Sequence, residues 1–233
     1  MSQQREARAV DGDQPLWSPH AWLGPETLES LAEVNEQCLE LLCEQAAAVA
    51  RRASVALVGP GGAPPAPLLT ELRALWIELD SAARRRAARC PYLLLDAGFT
   101  APLRWVPSAA REVRDQACAE PVAAFFTVPR AGAVMRLVTT YAWHLASSQS
   151  AAARVLLGMS AACARHIGMA TLGHVSRIAE GHAQWLQPRW ADRVTVWRDL
   201  LLTAASGEQE ALERSRIRGI QLLAADARAS RIM

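Results

Sequence analysis

Lysine is absent from this chain: all 25 basic side chains are arginine, set against 23 acidic ones. A net charge of +2 lacks the concentrated positive excess that marks a dedicated nucleic-acid binder. Genomic base composition is the simplest explanation of arginine-only usage, with phosphate recognition by guanidinium groups as the alternative. Tyrosine and phenylalanine are scarce, two and three residues, while about half of the chain is apolar and rich in Ala and Leu. That composition favours helices over strands and makes an all-α helical bundle the expected fold class. Paired cysteine spacings are missing too. Cys38, Cys43, Cys90, Cys118 and Cys163 are scattered and odd in number, which suits a reducing compartment better than a disulfide framework. No apolar run approaches the roughly 20 residues of a membrane span. The opening MSQQREARAVDGDQPLW lacks the apolar stretch of a secretory signal. The expectation is a cytoplasmic protein with no membrane contact.

What is present is amphipathic periodicity. Residues 1–16 are polar and offer too little apolar surface to offset ordering entropy, so they read as a disordered tail. From Pro25 onward Leu28, Leu31, Val34, Cys38, Leu41, Leu42 and Val49 recur at three- and four-residue steps, predicting one helix with a single buried stripe. VGPGGAPPAP at 58–67 interrupts it with residues that cannot continue a helix. A second helix is expected over 68–89 on Leu68, Leu72, Leu75 and Leu79. CPYLLLDAGF, 90–99, fits either a buried strand or an extended segment. Further helices are expected over 107–118, over 130–147 as a central element, and as two C-terminal helices separated at Gly207. This divides the chain into a tail (1–16), an N-terminal helical region (17–130) and a C-terminal helical domain (131–233).

Catalytic and metal signatures do not emerge. GxSxG, a Walker A loop and a dinucleotide fingerprint are all missing, and the prolines after GPGG block the helix whose N-terminus would hold a phosphate. Zinc needs about four converging ligands, usually signalled by CxxC or HxxxH. Neither occurs, and His166, His174 and His182 are spaced beyond two helical turns. The expectation is therefore a protein that is not an enzyme, with no catalytic residue, metal or cofactor. The tryptophans, Trp185, Trp190 and Trp197 among them, read as core or interface anchors.

The stretch LLGMSAACARHIGMATLGHVSRIAE, 156–180, carries most of the functional signal. Ser160 and Thr171 are suited to cap two short helices, 161–168 and 172–180, joined near Gly168 and Met169. A conventional helix-turn-helix in that register buries apolar side chains at 174 and 177, where this chain has His174 and Arg177. Leu172, Val175 and Ile178 form the apolar series instead, expected to pack inward while Arg177 points away.

That register resembles the flagellar transcriptional regulator FlhD family. Leu157, Gly158 and Ala164, then Thr171, Leu172, Val175, Arg177, Ile178, Ala179 and Glu180, follow the family's Leu-Gly and Thr-Leu patterns without a gap. The likeness continues into QWLQPRW, where Arg189 and Trp190 match an Arg beside an aromatic, and covers roughly residues 137–225. Residues 1–130 have no counterpart in the family. The resemblance implies a helical, oligomeric component of a transcription-activating complex that works with a zinc-containing FlhC-like partner. Arg165, Arg177, Arg189 and Arg193 are the expected DNA-phosphate contacts, since guanidinium groups pair with phosphate oxygens in a two-pronged geometry. The alternative is a helical protein-interaction module, anchored by tryptophan, with no direct DNA contact.

Overall fold

A computed structural model describes residues 23–55, 66–106 and 124–229. The expected tail at 1–16, most of the Gly/Pro-rich stretch and the expected helix at 107–118 lie outside the described residues. The helix expected from Pro25 is present as α1, Pro25–Val55. Pro25 sits in the first turn, where its missing N–H costs nothing, and Glu26 and Arg52 suit the two ends of the helix dipole. Leu31, Val34, Cys38, Leu41 and Leu42 are buried along it as the periodicity predicts.

The single helix expected over 68–89 is three: α2 (Pro67–Thr70), α3 (Arg73–Glu78) and α4 (Ser81–Ala88). Leu79 adopts extended backbone, and Asp80 starts a new helix by accepting the Ala83 N–H at 2.6 Å. Leu68, Leu72 and Leu79 are nonetheless buried, so the apolar pattern survives the breaks.

Residues 90–99 form an irregular, largely buried segment, extended at residues 95–96 and bent on either side of them. A two-residue strand β1 (Leu95–Asp96) pairs antiparallel with β2 (Gln187–Pro188), Leu95 opposite Pro188. Buried Asn35 of α1 satisfies the backbone leading into β1. Its Nδ2 donates to Ala88 O at 3.1 Å and Tyr92 O at 2.9 Å, and its Oδ1 accepts from Leu94 N at 2.9 Å. An interior backbone segment outside a sheet needs such a partner, because each unpaired N–H or C=O is costly.

The rest is helical: α5 (Ala131–Ser148), α6 (Ser150–Leu156), α7 (Ala161–Gly168), α8 (Leu172–Gly181), α9 (Val194–Ser206) and α10 (Gln209–Ala229). The chain is all-α, with this short strand pair its sole sheet among the described residues. Gly207, at φ 71°, closes α9 as the sequence suggests. The central position expected of α5 is observed: α1, α6, α7 and α8 all pack on it, while α9 packs on α4 and α10. One core therefore joins Leu31, Leu42 and Trp76 to Val138, Leu156 and Leu201, across the residue-130 boundary. No described helix is long and apolar enough to cross a membrane.

Candidate regulatory interface at the α7 and α8 pair

Both short helices begin where the sequence suggests. Ser160 Oγ accepts from Cys163 N at 3.1 Å, and Thr171 Oγ1 accepts from His174 N at 3.3 Å. Each cap satisfies an N–H that the helix itself cannot. Three residues, Met169 to Thr171, link the pair, and Trp143 of α5 holds this turn by donating its indole N–H to Ala170 O at 2.8 Å. Gly168 is a packing glycine as much as a turn residue, since a Cβ there would lie 2.8 Å from Ala146 O of α5.

The apolar series on α8 needs correction. Val175 and Ile178 are 1% and 5% exposed, but Leu172 is 52% exposed. Each three-residue step falls about 60° short of a full helical turn, so a 172-175-178 series drifts away from any fixed direction. Ala179, one helical turn beyond Val175, completes the buried face instead.

The four arginines do not share one surface. Arg165 on α7 and Arg177 on α8 are exposed, and neither forms an ion pair with a described residue. Arg193 is half exposed and lies 3.4 Å from Asp226 of α10. Arg189 departs furthest from the sequence expectation, being only 9% exposed. Its Nε donates to Leu93 O at 2.7 Å and its Nη2 to Leu157 O, with Asp96 Oδ1 3.9 Å away. Desolvation pushes its pKa down, while Asp96 and Asp226 hold it up. A guanidinium committed to interior carbonyls is not presented to phosphate.

Around Arg165 and Arg177 the exposed surface is mixed. Met169 is 80% exposed and Leu172 adjoins it, while Glu180 at the far end of α8 opposes Arg177 in charge. The nearby histidines face separate carbonyls: His174 Nε2 lies 3.3 Å from Trp105 O, and His182 Nδ1 lies 3.2 Å from Ile178 O. Burial pushes the Cys163 thiol up to about 11, which favours its protonated form at neutral pH.

Sequence reasoning missed the environment of Trp190. It holds φ 51°, the one positive φ outside glycine among the described residues. Its indole donates to Asp226 Oδ2 at 2.7 Å, and its ring meets Tyr92 edge-on at 5.6 Å. Proline before Arg-Trp was the single local hint of an unusual turn. Comparison with protein-family models, curated proteins and solved structures finds no match for this chain.

Proposed function

We propose that the protein is an FlhD-like regulatory subunit, cytoplasmic and oligomeric, acting within a transcription-activating complex that contains a zinc-bearing FlhC-like partner. The observation that carries the reading is the pair of capped helices α7 and α8, formed by the residues of the resemblance, with Arg165 and Arg177 exposed and in no ion pair with a described residue. Two such guanidinium groups supply few phosphate contacts, so the partner contributes most of the promoter affinity. Arg193 adds a contact when it leaves Asp226.

Co-purification from native cells should recover a zinc-containing subunit and DNA together. In reconstituted complexes Arg165→Ala with Arg177→Ala should weaken binding on every sequence and reduce the salt slope by about 2. An unchanged slope removes both arginines from the DNA contact.

Met169 and Leu172, both exposed at the turn between α7 and α8, favour a second reading in which this corner docks a protein and touches no DNA. Under that reading Met169→Asp with Leu172→Asp abolishes partner recovery, and no DNA accompanies the wild-type complex.

A further inference from the structure

A groove of about 580 Å3 opens on the surface between α1 and α5, walled by Glu33, Val34 and Gln37 on one side and by Leu137, Tyr141 and His144 on the other. Leu137 is 38% exposed, on the face that an amphipathic helix ordinarily gives to polar residues.

The two walls are opposite in charge. α1 carries six glutamates and no basic residue before Arg51, whereas α5 carries Arg136 and His144 and no acid. Arg130, just ahead of α5, takes up Glu40 and Glu44. Glu33 and Arg136 are both exposed and in no ion pair with a described residue. A second copy of this surface is repelled when like walls face each other and attracted when opposite walls do.

We propose that the α1 and α5 face is the contact of a two-fold homodimer whose axis runs along the groove. That axis sets each α1 against α5 of the other copy, antiparallel, and makes a four-helix arrangement from two helix pairs. An axis across the groove would lay α1 on α1 and glutamate on glutamate. Rotation about the proposed axis leaves height along the groove unchanged. Within one chain Tyr141 Oη donates to Thr27 O at 3.1 Å and Arg130 Nη2 to Gln37 Oε1 at 2.6 Å, which fixes the stagger of the two helices. Arg136, about midway between Arg130 and Tyr141, is therefore level with Glu33, about midway between Thr27 and Gln37. Each Arg136 thus faces Glu33 of the second copy, twice per dimer, and the two Leu137 side chains close the groove.

The face spans about 27 Å along α5 and about 20 Å across two helices. The dimer then buries about 1,000 Å2 in total, at the lower end of specific interfaces, and a micromolar dissociation constant is expected. Half of this face is α1, which has no counterpart in FlhD-like chains, and neither α7 nor α8 belongs to it. The dimer and the promoter reading are therefore tested separately.

Sedimentation equilibrium of the full chain across the micromolar range tests the contact. The wild type should pass from monomer to dimer, with weaker association at high salt. Leu137→Asp, Glu33→Arg and Arg136→Glu alter exposed side chains and should leave the melting temperature of the dilute monomer unchanged. Each should weaken dimerisation at least about ten-fold, because every change enters a two-fold interface twice. Glu33→Arg combined with Arg136→Glu should return association to within about three-fold of the wild type, since the pair is restored with its signs exchanged. Three results overturn the proposal: a chain that stays monomeric, which would leave the groove to a different protein, an assembly indifferent to Leu137→Asp, or no recovery in the double variant.

Discussion

Arg189 and Asn35 act alike: each is a buried polar side chain that closes the hydrogen bonds of an irregular, buried backbone. Arg189 ties Leu93 and Leu157 together, and its own carbonyl accepts from the Trp197 indole at 2.7 Å, so three distant segments meet at one residue. Arg189→Ala strands two interior carbonyls and should cost about 3 kcal/mol or more in urea unfolding. Arg189→Lys should recover little, because one ammonium does not reproduce the planar fork that reaches both carbonyls. Asn35→Ala leaves Tyr92 O and Leu94 N unpaired in the core and should destabilise by about 2–4 kcal/mol, again read by urea unfolding. A destabilisation below about 1 kcal/mol at either position would mean that another group takes over the carbonyls. Neither role was legible in the sequence. Asn35 interrupts an otherwise apolar helix face, which hints at burial, but Arg189 has an exposed arginine's composition and becomes interior through carbonyls 96 and 32 residues away.

At the scale of elements, the capped pair was the most legible feature because its signals are local. A hydroxyl one residue ahead of an amphipathic run sets the start of α7 and α8, and the observed hydrogen bonds follow. Thr171→Ala should cost about 1 kcal/mol and speed amide exchange at His174 while leaving the core amides of α5 protected. Equal acceleration in α5 would show that the cap supports the bundle rather than its own helix. Local signals also explain the misreadings. Leu68, Leu72, Leu75 and Leu79 keep helical spacing across two breaks, so periodicity hides them, and the Asp80 cap is the one cue against continuity. The β1–β2 pair has no local cue: it exists because residue 95 meets residue 188. Leu172 was misassigned since a three-residue series was treated as a straight face, whereas the helix turns beneath it.

For the whole molecule, the shared core makes the residue-130 boundary a line in the sequence rather than a gap in the packing. Residues 131–233 expressed alone would strip α1 from α5, α4 from α9 and Leu93 O from Arg189. That fragment should be helical by circular dichroism yet melt without a cooperative transition, and a sharp two-state melt would establish a self-sufficient C-terminal domain. The same core governs the response to pH. Burial raises the Cys43, Cys90 and Cys163 thiols from 9.0 to about 11, and it raises Cys38, Tyr92 and Tyr141 as well. Groups whose folded pKa lies above the unfolded value bind protons more tightly in the native state. Their contribution is therefore complete below about pH 9 and is lost as pH rises toward 11. The melting temperature should stay level from pH 7 to 8 and fall by roughly 5–10 °C between pH 9 and 11. Cys90→Ala should start from a lower melting temperature and fall less over that interval, because the thiol it lacks is one of those forced to ionise. An identical fall in the variant would place the alkaline lability elsewhere, in the tyrosines or in the arginine ion pairs.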